Sequence, residues 1–459
     1  MAQTKDLGNA PIRRLFFAYY FPAVVSMLSV TIHQVVDGMI LGAMVGKEGV
    51  GVIGLFFPVL IVFIAIELML MIGGGILFSQ YVGAKKVAKA QQVFQFTTAI
   101  TVVIGVTIAL FSPWLTPLIS KLLAGGEQTN IYQYTYDYAF WSLLWVPIYL
   151  LRILWGGFTN NDQAPKINRN ATVIGAVVNI ILDFWFVMGL EWGVAGASIA
   201  TGIALVFSLG YISFYIYQSK NNLTFKEFRF SFKLPDWKRV FELGFPTFAS
   251  ELAFAIGYIL ITQYMINFGD QAVAAFGIIN YLSFIFFRFF AGVTLALQPL
   301  IAFNMGAGKP QRVLTLLRFG LGFSLVLGLL AIVSGHVAGH YLLMMFSKDV
   351  EQAFYAIADP GIQLYFYLFL TVGINNVLSL YLQSIRKATL TSGMNIVRGL
   401  ILVLLFLWLF SDILSWSIEA IWLVKPLAEL LTFVAVGGYT LVLKQQFYST
   451  EVITKNTKV

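Results

Sequence analysis

Residues 15–43 read LFFAYYFPAVVSMLSVTIHQVVDGMILGA, and this stretch decides the class of fold. It is almost wholly apolar and exceeds the about 20 residues that a helix needs to cross a bilayer. One carboxylate, Asp37, interrupts it. A charge at the centre of a membrane helix costs roughly 2.5–3.5 kcal/mol on insertion scales, and protonation, a bound ion or a partner side chain relieves that cost. Asp37 is therefore a candidate functional residue.

The rest of the chain has the same apolar character. Of its 459 residues, 59% are hydrophobic and 11% are charged, whereas soluble proteins have about 45–50% apolar and about 25% charged residues. We therefore expect an all-α integral membrane protein. Apolar runs of about 20 residues predict twelve membrane helices, at residues 15–43, 50–80, 93–120, 130–157, 168–190, 192–217, 240–268, 271–304, 313–346, 355–384, 389–410 and 415–443.

The chain has a net charge of +8, and its positive residues are concentrated in alternate loops. Lysine and arginine crowd the segment before the first predicted helix and every second loop thereafter, whereas the alternate loops hold only Lys47, Lys121 and Lys348. Positive residues in short loops stay cytoplasmic, so both termini are predicted to be cytoplasmic in a multi-pass protein of the inner (plasma) membrane. The charge thus reflects topology and indicates no nucleic-acid partner. The absence of cysteine excludes disulfides and thiolate metal sites, and we expect no metal or other cofactor.

The two halves of the chain repeat. Phe21-Pro22 matches Phe245-Pro246 with a shift of 224 residues, and Gly83-Ala84 matches Gly306-Ala307 with a shift of 223. Each half holds six predicted helices, an even number, so the halves have the same orientation and are related by a pseudo-twofold axis along the membrane normal. This arrangement predicts a central V-shaped cavity between two lobes. The predicted parts are an N-terminal lobe, a basic cytoplasmic linker, a C-terminal lobe and a cytoplasmic tail, at residues 1–218, 219–239, 240–444 and 445–459.

Three features resemble the multidrug and toxic-compound extrusion (MATE) family of antiporters over essentially the whole chain. They are an acid in the first helix after a proline, a GA-K/R signature after the second and eighth helices, and the stretch NIILDFWFVMGLEWGVAGASIAT at residues 179–201. The presence of both Asp37 and Asp183 is similar to the DinF-like bacterial and archaeal branch. The resemblance implies a transporter, not an enzyme, that exports cationic or amphipathic compounds against an inward flow of protons or sodium.

The residues themselves support an ion-coupling site in the first lobe. Asn179 and Asp183 are four residues apart and share one helix face. At about 1.5 Å per residue, Asp183 lies roughly 22 Å and Asp37 roughly 33 Å along their helices, so both lie in the outer half of the membrane and could meet. Two neighbouring acids in a low dielectric cannot readily both ionise. The pair is therefore expected to hold a proton near neutral pH.

In the DinF-like branch, the resemblance implies a hydrogen-bonded cluster that corresponds here to Asp37, Asn179, Asp183 and Thr201. His33 departs from that pattern, since relatives often carry tyrosine there. It either adds a proton step near neutrality or only donates a hydrogen bond. Three alternatives remain open: Asp37 faces an outer vestibule, Asp183 pairs with Arg152, or Asn179 only bridges helices.

Two further positions complete the predicted machinery. Pro22 removes a backbone donor and is either a hinge at which the first helix bends or a static kink. Glu251 resembles the glutamate of the NorM-like branch and is expected to be a secondary cation or substrate contact, or else a partnered polar residue. Six other charges lie in predicted helices without assignable partners, namely Glu67, Arg152, Arg288, Arg398, Lys425 and Glu429.

The sequence thus predicts a proton-coupled multidrug efflux antiporter that works by alternating access. Its expected partners are cationic or amphipathic drugs and the lipid bilayer, and it is expected to act as a monomer. Sodium coupling within the same family and a lipid-linked saccharide flippase are the alternatives. A flippase would be expected to line its cavity with several basic residues. A membrane-embedded enzyme is a remote third reading, because no convergent catalytic set is visible.

Overall fold

The computed structural model describes residues 6–126, 130–218, 222–225, 234–345, 352–414 and 417–442. Within these ranges, twelve helices are long and apolar enough to cross a membrane, which confirms the predicted all-α membrane fold. Most of the predicted linker and the predicted tail lie outside the described residues.

The helices are numbered here in chain order. The first six are α1 Ile12–Met44, α2 Lys47–Gly83, α3 Val87–Ala124, α4 Asn130–Asn161, α5 Pro165–Gly189 and α6 Gly193–Tyr217. The second six are α7 Leu234–Ile266, α8 Asp270–Gly306, α9 Pro310–Val337, α10 Phe354–Ser384, α11 Ala388–Ser411 and α12 Ile418–Val442. A short helix, Gly339–Met344, precedes α10.

Contacts divide the chain into two compact units whose boundaries fall inside helices. The first unit contains Phe21–Gly244, and the second contains Asp6–Tyr20 together with the chain from Phe245 onward. The division therefore differs from the predicted lobes, because the start of α1 packs in the second unit and the start of α7 packs in the first. Both helices change unit within two residues of a proline, Pro22 in α1 and Pro246 in α7.

The start of α1 is held in the second unit by hydrogen bonds and by rings. The carbonyl of Leu7 accepts from Asn304 Nδ2 and from Arg312 Nε, each at 3.1 Å. Lys309 Nζ donates to the carbonyl of Gly8 at 2.9 Å. Phe16 packs edge-on against two α9 rings at centroid distances of 5.0 and 5.1 Å, those of Phe319 and Phe323. These contacts explain why residues 6–20 cluster with α8 and α9.

The internal repeat is visible in four matching turns between helices. Each turn has one residue with positive φ, between 59° and 67°, at Lys85, Gln163, Gly308 and Arg386. The next N–H then bonds a carbonyl five residues back, at 2.8–2.9 Å, in all four turns, which is the bond that closes a Schellman-type helix end. From Lys85 to Gly308 and from Gln163 to Arg386 the shift is 223 residues, which agrees with the shift seen at Gly83-Ala84.

The short described stretch after α6 is anchored to the first unit. Asp162 Oδ1 accepts from Asn222 Nδ2 at 2.8 Å, and its Oδ2 accepts from Tyr215 Oη at 2.9 Å. Burial raises the pKa of Asp162 to about 6, although these hydrogen bonds favour the carboxylate. Leu223 is fully buried beside them. The chain leaving α6 is therefore tied to the loop that follows α4.

Glycines of the first unit, among them Gly73 and Gly157, allow its helices to approach closely. A Cβ on Gly73 would lie 2.1 Å from the carbonyl oxygen of Val240, and one on Gly157 would lie 2.2 Å from Met71 Cγ. Facing Gly73, a Cβ on Gly244 would lie 2.0 Å from the carbonyl oxygen of Met69. Here α2 meets the start of α7 with only hydrogen atoms between the backbones.

Gly73→Ala is therefore expected to destabilise the protein by about 1–3 kcal/mol, because the added methyl meets backbone atoms that cannot rotate away. The matched control is Gly210→Ala in α6, where nothing lies within 4 Å of an added Cβ. That change should be neutral or stabilising, since alanine favours helix by about 1 kcal/mol over glycine. Thermal unfolding of both purified variants in the same detergent checks the pair. Equal thermal unfolding midpoints for the two variants would contradict the close packing of α2 against the start of α7.

Candidate functional site

Asp37 of α1 and Asp183 of α5 meet inside the first unit. Their carboxyl groups lie close enough together to share a hydrogen bond. Asp183 is fully buried, and within the described residues no N–H or O–H group donates to either of its oxygens or to Asp37 Oδ1. Carboxylate oxygens only accept hydrogen bonds, so the contact forms only when one of the two acids carries a proton. The arrangement is chemically a site for one shared proton.

Asn179 and Thr201, which the resemblance implied as members of the same cluster, are hydrogen-bonded to each other. Asn179 is 2% exposed, and its Nδ2 donates to Thr201 Oγ1 at 3.3 Å, which links α5 to α6. Its Oδ1 has no hydrogen-bond donor among the described residues. Asn179 thus bridges two helices and also presents an unused acceptor one turn from Asp183.

His33 faces the same region but is oriented by its own helix. Its Nδ1 donates to the carbonyl of Ser29, one turn earlier, at 3.1 Å. The ring is half-buried and lies close enough to Asp37 to interact with it electrostatically. This hydrogen bond engages Nδ1 and leaves Nε2 as the ring nitrogen available for a hydrogen bond with another group.

Tyr138 of α4 belongs to the site but was not singled out by sequence. It lies within electrostatic range of both Asp37 and Asp183 and is hydrogen-bonded to Ser142. Ser142 in turn bonds Ser198 of α6 at 3.0 Å. A chain of hydroxyls therefore adjoins the acid pair. Tyrosine is common in the apolar helices of this chain, which contains 21 of them, so only the fold distinguishes this one.

The helix that carries Asp183 changes its winding immediately after that residue. Phe184–Gly189 forms a π-helical turn, in which Leu190 N–H bonds the carbonyl of Trp185 at 2.9 Å. A second π-helical turn, Val397–Ile401, contains the buried Arg398 in α11. Such turns are rare and occur frequently at functional sites. The first unit therefore has such a turn directly after the buried Asp183, and the second unit has one that contains the buried Arg398 and another at Trp408–Ile413.

Arg152 does not pair with Asp183, so that alternative is wrong. Its guanidinium donates to Asn168 Oδ1 at 3.1 Å and to the hydroxyls of Thr172 and Ser208. Glu67, fully buried in α2, accepts from Thr101 Oγ1 at 3.3 Å. Within the part of the chain that the structure describes, neither side chain forms an ion pair. The acid pair is thus free of a neutralising cation at salt-bridge distance.

The second unit contains the remaining membrane charges. Arg398 of α11 and Glu429 of α12 form a buried ion pair with an N–O distance of 3.3 Å. Glu251 of α7 is half-buried and interacts electrostatically with Arg288 and Arg398. The two units therefore differ: the first brings two acids together, whereas the second brings acids and bases together.

Pro22 lies inside the continuous helix α1, two residues after Tyr20, the last α1 residue that belongs to the second unit. Its carbonyl accepts from Ser26 Oγ at 2.9 Å. His33 and Asp37 follow Pro22 on α1 and belong to the first unit. The described residues up to Tyr20 belong to the second unit.

Comparison with known proteins agrees with this architecture. The family model MatE matches residues 22–185 and 246–437, one segment in each half of the chain. The multidrug export protein MepA of Staphylococcus haemolyticus is 25% identical over 351 residues, which cover 75% of each chain.

Two solved structures share the fold. A MOP superfamily transporter from Pyrococcus furiosus superposes with a TM-score of 0.90 at 18% identity and covers 98% of this chain and 99% of its own. An outward-facing multidrug resistance MATE family transporter superposes with a TM-score of 0.89 at 18% identity and covers 99% of both chains. Since the family model matches well over half of the residues, in both repeats, this chain is a member of the MatE (MATE) family of transporters.

Proposed function

We propose that the protein is a proton-coupled multidrug efflux antiporter of the plasma membrane, with both termini cytoplasmic, that acts as a monomer. The observation that carries this proposal is the closeness of Asp37 and Asp183, which share a hydrogen bond only when one of them holds a proton. Among the described residues, no group donates to Asp37 Oδ1 or to Asp183, and no basic side chain lies at salt-bridge distance from either acid. The export function of the relative MepA supports efflux of small organic compounds.

The proposed cycle couples protonation to movement at Pro22. In the outward-open state the acid pair takes up a proton, α1 bends at Pro22, and the bound compound leaves. The proton is then released to the cytoplasm as the units rock. The division of α1 at residues 20 and 21 supports a hinge there, because a proline-weakened segment is the least costly place for a helix to bend. Pro246 offers the equivalent point in α7.

The site residues take distinct roles in this proposal. Asp37 and Asp183 hold the coupling proton, whereas Asn179 and Thr201 hold α5 against α6 around it. In this proposal His33, which interacts electrostatically with Asp37, passes a proton to or from it. Each proton that moves inward across the membrane contributes about 2.3 kcal/mol per 100 mV.

The identity of the coupling ion is tested by measuring ethidium uptake into everted membrane vesicles that contain the protein, with sodium replaced by choline. A proton-coupled carrier should keep its full rate in choline and lose uptake when a protonophore collapses the gradient. Vesicles without the protein are the control. A rate that requires sodium and resists the protonophore would instead establish sodium coupling at the same site.

A further inference from the structure

A cavity of about 370 Å³ lies between α5 and α6 of the first unit. It is lined by Tyr211 of α6 and by four residues of α5, namely Arg169, Asn170, Val173 and Ile174. Asn170 precedes Asn179 by nine residues, which is about two and a half turns at 3.6 residues per turn. The cavity therefore lies on the side of α5 opposite to Asn179, outside the proposed proton site.

The depth of the cavity follows from its place on α5. The helix begins at Pro165, so at about 1.5 Å per residue Arg169 lies about 6 Å along it. The polar headgroup region adds about 5–7 Å to each side of the hydrocarbon core. With the proposed orientation of the termini, the start of α5 is cytoplasmic. Arg169 is therefore at the level of the lipid headgroups of the cytoplasmic leaflet.

The polar groups of the cavity form a short chain with unused donors at both ends. Arg169 Nε and NH2 donate to Asn170 Oδ1 at 3.0 and 2.7 Å, and Asn170 Nδ2 donates to Tyr211 Oη at 3.1 Å. Among the described residues, neither Arg169 NH1 nor the hydroxyl hydrogen of Tyr211 has an acceptor, and Arg169 forms no ion pair. None of the five lining residues is acidic. The cavity therefore offers hydrogen-bond donors and a positive charge, which suit an anion.

Apolar side chains continue from the cavity along the same face of α5. Val173 lines the cavity, and Val177 and Ile181 follow at intervals of four residues with 51% and 59% of their surface exposed. Phe207, one turn from Tyr211 on α6, is 57% exposed. Contiguous exposed apolar surface on membrane helices is covered by hydrocarbon. A ligand of this site thus has an anionic end at Arg169 and an apolar part that runs toward the middle of the membrane.

We propose that the cavity binds an anionic phospholipid of the cytoplasmic leaflet, with its phosphate on the Arg169 guanidinium and the Tyr211 hydroxyl and an acyl chain along Val173. Arginine binds phosphate through paired N–H donors, and basic pockets between membrane helices on the cytoplasmic side bind anionic headgroups. A choline or ethanolamine headgroup is disfavoured, because its ammonium finds no acid among the lining residues. The leaflet rests on the proposed orientation, whereas the site itself does not depend on antiport.

The bound lipid joins the two helices that carry the proposed coupling residues. Arg169 lies on the same helix as Asp183, and Tyr211 lies on the same helix as Thr201. A phosphate between Arg169 and Tyr211 adds to the single hydrogen bond from Asn170 that links the helices at this level. The lipid is therefore expected to raise the thermal unfolding midpoint of the protein.

The test is native mass spectrometry of the purified protein in detergent, titrated with phosphatidylglycerol or phosphatidylcholine of the same acyl chains. The wild type should bind phosphatidylglycerol about tenfold more tightly than phosphatidylcholine, which corresponds to about 1.4 kcal/mol. Arg169→Gln should remove most of this preference. Tyr211→Phe should weaken phosphatidylglycerol binding by about threefold, because it removes one hydrogen bond to the phosphate.

Lys166→Gln is the matched control, since it removes an exposed positive charge from the same end of α5 but outside the cavity. It should leave the preference for phosphatidylglycerol unchanged. Without lipid, Arg169→Gln and the wild type should unfold at the same temperature, and only the wild type should gain stability from phosphatidylglycerol.

Three results would overturn the proposal. The wild type could bind the two lipids equally, or Lys166→Gln could lower phosphatidylglycerol binding as much as Arg169→Gln does. An excess of inorganic phosphate could also displace the lipid, which would make the cavity a site for free phosphate. Failure of antiport would appear separately, as absent ethidium uptake in vesicles with the lipid preference still present in detergent.

Discussion

Asp37→Asn is expected to reduce proton-driven efflux by at least about tenfold, equivalent to about 1.4 kcal/mol or more in the coupled step. An amide donates a permanent hydrogen bond to Asp183 and can neither take up nor release a proton. The variant should therefore resemble a site that is always protonated. Binding of the transported dye should persist, since the change is isosteric and no described hydrogen bond to Asp37 Oδ1 is lost.

Initial rates of ethidium uptake in everted vesicles, measured across external pH, would show this loss together with a flattened pH profile. Asp137→Asn is a suitable control because Asp137 also lies in the first unit, but its carboxylate accepts a hydrogen bond from Gln133 Nε2 of its own helix, α4, at 2.9 Å. That variant should retain the wild-type profile. If Asp37→Asn transported at the wild-type rate with the same pH dependence, Asp37 could not be the coupling acid.

Glu429→Gln is expected to destabilise the protein by about 3–5 kcal/mol, since it leaves the guanidinium of Arg398 buried without its carboxylate. Arg398 is 6% exposed and Glu429 is 3% exposed, so water cannot replace the lost partner. The neighbouring ammonium of Lys425 increases the penalty, because Glu429 also interacts favourably with it.

Thermal unfolding in detergent measures this effect, and an exposed pair of the same chain calibrates it. Lys238 and Glu242 approach at 3.7 Å with side chains 72% and 55% exposed, so Glu242→Gln should cost less than about 1 kcal/mol. Replacing both partners, Arg398→Met with Glu429→Leu, should recover much of the loss. A Glu429→Gln midpoint no lower than that of Glu242→Gln would show that the buried pair is not needed for stability.

Much of the proposed coupling site could be anticipated from residues 179–201 and Asp37. The four-residue spacing of Asn179 and Asp183 places them on one helix face, and helix rise places Asp37 at a compatible depth; the structure shows the acids in contact. Tyr138 could not be found in this way. Tyr138 lies on a helix that contains several tyrosines, and nothing in the local sequence distinguishes the tyrosine that lies near the two acids.

The partners of the intramembrane charges also required the structure. Sequence identifies Arg398, Glu429 and Lys425 as anomalous in apolar helices, but any base could meet any acid at a similar depth. The packing of α10, α11 and α12 selects Glu429 for Arg398 and leaves Lys425 against Phe254. Likewise the shift of 223–224 residues reveals the repeat, whereas only tertiary contacts show that α1 and α7 each change unit beside a proline.

The sequence by itself determined the membrane fold, the number of spans, the repeat and the cost of burying Asp37, because hydropathy, helix rise and desolvation act along a single chain. The tertiary structure decided which side chain meets which: Asp37 with Asp183, Arg398 with Glu429, and Lys425 with no oxygen acceptor among the described residues. The physical reason is that a helix period specifies the face on which a residue lies, whereas the neighbour of that face is chosen by packing among helices distant in sequence.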